Sequence, residues 1–249
     1  MKKNMKLVLE YDGSRYDGWQ KQGNTDDTIQ GKLEAVLLRW TGEAIEVHGS
    51  GRTDAGVHAK GQVANFHVDA QVCPDAKTAR DYLIRYLPDD IRVLEAEEVE
   101  ERFHSRLWAA RKTYAYVVET AEKKHVFERK YVYGLGTGVD MDAMRRAAAL
   151  LVGEHDFKSF CSNKKMKKST VRRLESIVIR EEGSKIVFEY TGNGFLYNMV
   201  RILTGTLLEV GMGKRTPESM ADILCAKNRE AAGMTAPPEG LFLMKVEYK

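Results

Sequence analysis

The chain has 249 residues, of which 43% are hydrophobic and 30% charged, and its formal net charge is +3. This length allows one large domain or two of ordinary size. No apolar run approaches the roughly 18 residues that a membrane-spanning helix needs, so we expect no membrane association and predict a cytoplasmic protein. The three cysteines are odd in number and far apart, which argues against a disulfide framework and against a cysteine-based metal site.

Hydrophobic periodicity in the first half predicts strands that alternate with helices. Thr28 is a good N-cap for a helix that ends at Gly42, and Asp75 can cap a second helix that ends before Pro88. The order β-α-β-loop-β-α-β is typical of an α+β fold with helices on one side of a sheet. The predicted strands of this half cover residues 5–11, 44–48, 62–68 and 91–99.

The second half repeats this order of elements. Asp140 can cap one helix, and the apolar spacing of residues 195–210 predicts the longest helix of the chain. Thr216, followed by a proline, marks the start of the next helix. We place the boundary near residue 106, which gives two halves, 1–106 and 107–249. The predicted strands of the second half cover residues 112–118, 131–133, 171–180, 185–191 and 241–248.

Residues 49–59 form a polar, glycine-rich loop that contains a single carboxylate, Asp54, two residues after Arg52. Glycines let the backbone adopt positive φ and approach another molecule closely. A compact loop that carries an acid beside a base is a plausible place for chemistry. The alternative is a simple turn in which the Asp54 side chain binds backbone amides.

Two segments have basic and aromatic residues that suit RNA binding, but each also has a structural interpretation. Residues 158–173 contain seven basic residues and no acidic one, which suits a phosphate backbone but also a solvated lysine loop. The loop at residues 12–27 carries Tyr16 and Trp19 among basic and amide side chains. These aromatic rings suit base stacking, or they anchor the loop on the core.

Arg201 lies within the predicted long helix, where its neighbours three and four positions away are mostly apolar or small. Burial of an arginine beside an apolar face has a desolvation cost of several kcal/mol unless an anion pairs with the guanidinium. Asp54 is the obvious candidate for that anion. The alternative is that the Arg201 side chain extends to solvent.

Taken together, these segments resemble the tRNA pseudouridine synthase A family, and the matching motifs run in family order from the first fifth of the chain to its end. The motif around Asp54 is highly specific, and the others support it. The matching residues are Gly51-Arg52-Thr53-Asp54-Ala55-Gly56-Val57-His58-Ala59, Phe103-His104-Ser105-Arg106 with Arg111-Lys112-Thr113-Tyr114-Ala115-Tyr116, Gly153-Glu154-His155-Asp156-Phe157 with Ser159-Phe160, Asn193-Gly194-Phe195-Leu196 with Val200-Arg201, and Ala236-Pro237-Pro238-Glu239-Gly240-Leu241.

The resemblance implies conversion of uridine to pseudouridine in RNA without a cofactor or a metal. It assigns the nucleophile to Asp54, whose target is either the ribose anomeric carbon or the pyrimidine ring. It implies that Tyr114 stacks on the target base, that Arg201 keeps Asp54 ionised, and that Arg52 fills the vacated space or binds a phosphate. The residues expected to contact the tRNA backbone are Lys112, Lys164, Lys165, Lys167 and Lys168.

The family fold consists of two similar α/β halves with antiparallel sheets flanked by helices and a basic cleft between them. The family is homodimeric, and its usual substrate is the anticodon stem-loop of tRNA at positions 38, 39 and 40. Two features depart from the family pattern. Trp108 stands where the family usually has a small residue or an acid, and the lysine-rich segment at residues 164–168 is unusually basic.

Parts of the sequence also suit three other functions. The chain could modify another RNA or another tRNA position, because a fold does not fix the substrate. It could also be a non-catalytic RNA-binding or RNA-folding protein, although the presence of Asp54, Tyr114 and Arg201 argues against a dead enzyme. A metal hydrolase is rejected because the histidines lack the close spacing of a ligand set. Those histidines are His48, His58, His67 and His104.

Overall fold

The computed structural model describes residues 1–163 and 165–249 and shows a mixed α+β fold, which confirms the predicted fold class. The chain divides by its packing into two compact units. One comprises residues 1–110 with 243–249, and the other comprises residues 111–242. The functional halves predicted at 1–106 and 107–249 stay a prediction.

Ten strands and five α-helices, numbered in chain order, make up the regular structure of the described residues. The strands are β1 (Lys2–Tyr11), β2 (His48–Gly49), β3 (His58–Asp69), β4 (Ile91–Val99), β5 (Ala109–Glu119), β6 (Tyr133–Gly134), β7 (Gly153–Asp156), β8 (Val171–Glu182), β9 (Lys185–Gly192) and β10 (Leu241–Tyr248). The helices are α1 (Ile29–Thr41), α2 (Ala76–Tyr86), α3 (Met141–Ala149), α4 (Met199–Gly211) and α5 (Ser219–Ala226).

In the first unit, the strand order is β4–β1–β3–β10, with the short β2 paired to β3. β1 runs antiparallel to both of its neighbours, so that Leu7 lies opposite Ala64 in β3 and Ala96 in β4. Leu7, Leu9 and Phe66 are fully buried and form part of the core. The alternation of buried and partly buried residues along β1 therefore reflects one face that packs on the core.

In the second unit, the strand order is β5–β9–β8–β7, all antiparallel, with the short β6 parallel to β5. The β8–β9 hairpin turns at Gly183, which has a φ of +65° that side-chain-bearing residues rarely adopt. The hairpin places Tyr190 of β9 directly opposite Tyr114 of β5. This register fixes the position of Tyr114 within the sheet.

The predicted helix starts are confirmed where a polar cap precedes the helix. Thr28 Oγ1 accepts a hydrogen bond from the Gly31 N–H at 3.1 Å. Asp75 Oδ1 accepts a hydrogen bond from the Thr78 N–H at 2.7 Å. Asp140 Oδ1 accepts a hydrogen bond from the Ala143 N–H at 2.8 Å. These side chains satisfy amide groups that the first helical turn leaves without an intrahelical partner.

Several predicted boundaries were wrong, and the strand predicted at 62–68 extends from His58 to Asp69. The helix predicted from residue 195 begins at Met199, because Asn198 has a φ of +60°, which lies outside the right-handed helical region. The strands predicted at 44–48 and 131–133 shrink to the two-residue strands β2 and β6. The helix predicted to start directly after the N-cap Thr216 begins at Ser219, after a turn in which the Thr216 carbonyl accepts a hydrogen bond from the Ser219 N–H.

Candidate active site

Asp54 lies in the loop of residues 50–57, which connects β2 to β3 in the first unit, and its side chain is half-buried. The loop contains a tight turn, because the Asp54 carbonyl accepts a hydrogen bond from the Val57 N–H at 3.1 Å. Gly56 supplies the positive φ of this turn, +76°. The turn is therefore closed by the main chain of Asp54.

A buried hydrogen-bond network holds the loop from beneath. The hydroxyl groups of Tyr11 and Thr53 lie 2.8 Å apart, and Thr53 directly precedes Asp54 in the chain. Gln62 Nε2 donates to the Gly51 carbonyl at 3.1 Å, and Gln62 Oε1 accepts from the Ser50 hydroxyl at 2.6 Å. Burial raises the pKa of Tyr11 to about 12, so the phenol stays protonated. Satisfied buried polar networks of this kind restrict a loop to one conformation.

A second loop, residues 12–28, also packs on the Asp54 loop. The Trp19 N–H donates to the Thr53 carbonyl at 3.0 Å, and the Gly56 N–H donates to the Tyr16 carbonyl at 3.1 Å. A Cβ at Gly18 would lie 2.6 Å from the Thr53 carbonyl oxygen, so this approach needs glycine. The main chain on both sides of Asp54 is thus held by the 12–28 loop.

Tyr16 and Trp19 are core anchors, with only 3% and 2% of their surfaces exposed. The interpretation of these rings as base-stacking groups is therefore wrong, and the alternative is confirmed. The Tyr16 hydroxyl donates to Asp90 Oδ1 at 2.5 Å, and the Arg15 guanidinium also binds this carboxylate. The aromatic side chains serve to seat the loop on the first unit.

Arg52 is exposed, and its Nε donates a hydrogen bond to Gln20 Oε1 at 3.0 Å. It shares the loop with Asp54, two residues away. Gln20, from the 12–28 loop, orients the guanidinium at the surface. Sequence periodicity does not reveal this contact because the two residues are 32 positions apart in the chain.

In the second unit, Tyr114 lies on β5 with 8% of its surface exposed. The ring of Phe195 packs against it edge-on, with centroids 5.0 Å apart and an interplanar angle of 77°. Lys112, two residues earlier, lies on the same face of the strand and is half-buried. The Tyr114 ring is thus held in one orientation by its neighbours.

Arg201 is the third residue of α4 and is half-buried. Its Nε donates to the Ala236 carbonyl at 2.7 Å, and Nη1 donates to Asn198 Oδ1 at 2.9 Å. The Arg201 carbonyl in turn accepts a hydrogen bond from the Ala236 N–H at 3.1 Å. The guanidinium is therefore held in place by two hydrogen bonds within the second unit.

Comparison with known proteins identifies the family. A sequence model described as tRNA pseudouridine synthase matches residues 7–106 and 147–249. The chain belongs to the tRNA pseudouridine synthase family. A tRNA pseudouridine synthase A of Bacillus sp. (strain KSM-64) is 46% identical over 98% of this chain and 99% of its own length. A protein of the same name from Brevibacillus brevis is 45% identical over 99% of this chain and 100% of its own length.

The resemblance inferred from the motifs is therefore confirmed for this pseudouridine synthase family member. Asp54, Arg52 and Arg201 lie within the two matched segments, whereas Tyr114 and Lys112 lie between them. Among solved structures, the crystal structure of a Cbf5–Nop10–Gar1 complex is similar over 96% of this chain and 49% of that one, with 13% identity. Its TM-score of 0.41 is too low for any argument.

The lysine-rich segment of this synthase family member lies between β7 and β8. Lys165, Lys167 and Lys168 are exposed. This exposure is compatible both with contacts to RNA phosphates and with a solvated lysine loop. Lys164 lies outside the described residues. The assignment of these four residues to the RNA interface stays a prediction.

Residues 1–163 and 165–249 contain no group of three or more histidine, cysteine or acidic residues that could hold a metal ion. The rings of His48 and His104 stack with centroids 4.8 Å apart. Burial and the neighbouring His48 lower the pKa of His104. Within the same residues, no helix is both long and apolar enough to cross a membrane.

Proposed function

We propose that this protein converts uridine to pseudouridine at positions 38, 39 and 40 in the anticodon stem-loop of tRNA, without a cofactor. The observation that carries the proposal is the similarity to tRNA pseudouridine synthase A proteins, 46% identity over 98% of the chain. In the reaction, the bond from N1 to the ribose carbon breaks and a bond from C5 to that carbon forms. C5 loses its proton and N1 gains one.

Asp54 is the nucleophile in this proposal. A nucleophilic carboxylate must be ionised and must be presented without reorganisation of its loop. The network of Tyr11, Gln62 and Ser50 supports this role, because it fixes the residues just before Asp54. The tight turn that follows fixes the residues after it.

Arg201 supplies the charge that keeps Asp54 ionised, since a nearby guanidinium lowers the pKa of a carboxylate. The bonds from Arg201 to Ala236 and Asn198 support this role, because they set the direction of the guanidinium before substrate binds. A planar, oriented fork can bind a carboxylate through two parallel hydrogen bonds, which lysine cannot do.

Tyr114 stacks on the target base after that base leaves the stem. Its support is the edge contact from Phe195, which fixes the ring. A base removed from a helix loses its stacking energy, and an aromatic face offsets part of that loss. Arg52 either fills the space that the base leaves or binds a phosphate.

The RNA backbone is bound by the basic side chains of the second unit in this proposal: Lys112, Lys164, Lys165, Lys167 and Lys168. The exposure of three of the segment's lysines and the lack of acidic residues at 158–173 support it. We further propose that the protein is a homodimer and acts in the cytoplasm. The family resemblance supports the dimer, and the tRNA substrate supports the location.

The test is tritium release from tRNA transcripts labelled at uridine C5, followed by chemical mapping of the modified positions. The proposal predicts release by the wild-type protein and modified residues in the anticodon stem-loop only. Release with modification elsewhere would favour the candidate that acts on another RNA position. No release from tRNA or from total cellular RNA, with tRNA binding intact, would favour a non-catalytic RNA-binding protein.

A further inference from the structure

Residues 123–131 form a surface segment of the second unit, here called the Phe127 turn, with two very exposed apolar side chains. Phe127 has 93% of its surface exposed and Val126 has 67%. The segment lies within residues 107–146, which the family model does not match. Isolated exposed apolar residues are common, but a nearly fully exposed phenylalanine next to an exposed valine is not.

The backbone of the Phe127 turn is held rigidly. The Glu128 N–H donates to the His125 carbonyl at 3.1 Å, and the Tyr131 N–H donates to the Glu128 carbonyl at 2.8 Å. Lys124 Nζ donates to the Arg129 carbonyl at 3.3 Å from the inside of the turn. Lys185, from β9, donates to Glu128 Oε1 at 2.6 Å. The exposed tip is thus presented by a double turn tied to the sheet.

Buried Glu119 fixes both ends of the longer connection that contains the turn. Its Oε1 accepts a hydrogen bond from the Ala121 N–H at 3.0 Å. Its main-chain carbonyl accepts another from the Leu135 N–H at 2.8 Å. A surface group that is already ordered loses little conformational freedom when a partner binds. The turn that exposes Phe127 is therefore ordered before a partner binds.

The charges around the tip favour RNA over protein as the partner. Lys123, Arg129 and Lys130 are exposed and flank the two apolar residues. The turn has one acidic residue, Glu128, which is paired with Lys185, so the basic residues of the turn outnumber the acidic one. Lysine is depleted in the cores of protein–protein interfaces, whereas aromatic rings among cations are typical of single-stranded nucleic-acid binding.

We propose that Phe127 stacks on an unpaired base of the tRNA at a place distinct from the modified nucleotide, while Lys123, Arg129 and Lys130 contact the adjacent phosphates. This inference rests on the proposed function, because it needs an RNA substrate. The contact adds affinity for whole tRNA and takes no part in the isomerisation itself. Loss of the ring therefore raises the Kd and the KM and leaves kcat unchanged.

The test measures the Kd for full-length tRNA and the rate of pseudouridine formation at saturating tRNA. We expect Phe127→Ala and Phe127→Leu to bind about tenfold more weakly than wild type, and Phe127→Trp to bind as wild type does. Leucine is the key variant, because it keeps an apolar side chain and removes the aromatic face. Leu38→Ala, an exposed apolar site on α1, serves as the control and should bind normally.

Each outcome decides the proposal. Wild-type affinity in Phe127→Ala would overturn it. Wild-type affinity in Phe127→Leu, with a change of oligomeric state in Phe127→Ala, would overturn it in favour of docking between two copies of this chain. If wild type binds tRNA and the Phe127 variants weaken binding, but no pseudouridine forms, the proposed function fails while the stacking contact stands.

Discussion

The buried hydroxyl groups of Tyr11 and Thr53 lie 2.8 Å apart, and Thr53 directly precedes Asp54 in the chain. This contact joins the end of β1 to the loop that carries the proposed nucleophile. The two residues are 42 positions apart in the chain. The contact therefore couples the fold of the first unit to the position of Asp54.

Tyr11→Phe should lower both stability and catalysis. The substitution leaves the buried Thr53 hydroxyl without this partner, which costs about 1 kcal/mol of unfolding free energy. A displaced catalytic loop should reduce kcat about tenfold, because small errors in reactant geometry are costly. Urea unfolding and single-turnover kinetics on tRNA measure the two effects.

Tyr248→Phe is the matched control for Tyr11→Phe. In the same unit, the partly buried Tyr248 hydroxyl donates a hydrogen bond to the Ser105 carbonyl at 2.8 Å. This variant should lose similar stability with a smaller change in kcat. Equal losses of kcat in the two variants would contradict a specific role for Tyr11 in positioning Asp54.

Asp90→Asn should destabilise the protein in a pH-dependent manner. Burial raises the pKa of Asp90, but hydrogen bonds from Arg15 and Tyr16 more than offset this effect, so the pKa lies below its usual value. The stabilisation is therefore present above the unfolded-state pKa of about 3.9 and is lost as the pH falls through the folded-state pKa. The difference in Tm between wild type and variant should stay constant from pH 7 to about pH 5 and shrink as the pH falls below about 4. A difference that stays constant below that pH would contradict the ion pair.

The elements with local signals could be predicted from the sequence. The caps at Thr28, Asp75 and Asp140 and the limits of β4 and β10 depend on neighbouring residues, and the structure confirms them. The Asp54 loop could be found because its glycines and single carboxylate are contiguous. These features are encoded within a few residues of one another.

Other features depend on contacts that no local pattern encodes. The start of α4 is set by the positive φ of Asn198, whose side chain also accepts a hydrogen bond from Arg201. The burial of Tyr16 and Trp19 depends on how the 12–28 loop packs on the Asp54 loop. The network of Tyr11 and Gln62 joins residues 51 positions apart. Periodicity could not reveal these relationships.

Tyr114 variants should separate stacking from folding. Tyr114→Phe keeps the ring that packs on Phe195, so it should bind tRNA almost normally. Tyr114→Ala removes about 1–3 kcal/mol of base stacking and should reduce productive binding at least tenfold. Filter binding and kcat/KM on one tRNA transcript measure this difference. Equal behaviour of the two variants would count against stacking.

Arg201→Lys should retain the fold and lose most of the activity. Lysine keeps the charge but cannot bind Ala236 and Asn198 while offering a planar fork to a carboxylate. We expect kcat to fall ten- to a hundredfold, with a shift of the acidic limb of the pH–rate profile to higher pH. A wild-type rate and profile would refute the role in ionising Asp54.

Tritium release from C5-labelled tRNA by Asp54→Asn, compared with wild type in the same assay, tests the central claim most directly. Asparagine preserves the size of the side chain and removes its nucleophilic charge, so the loop and tRNA binding should be retained. If Asp54 is the nucleophile, wild type releases tritium and the variant releases none, with similar Kd values for tRNA. Release by a well-folded Asp54→Asn at a rate near that of wild type would contradict this role.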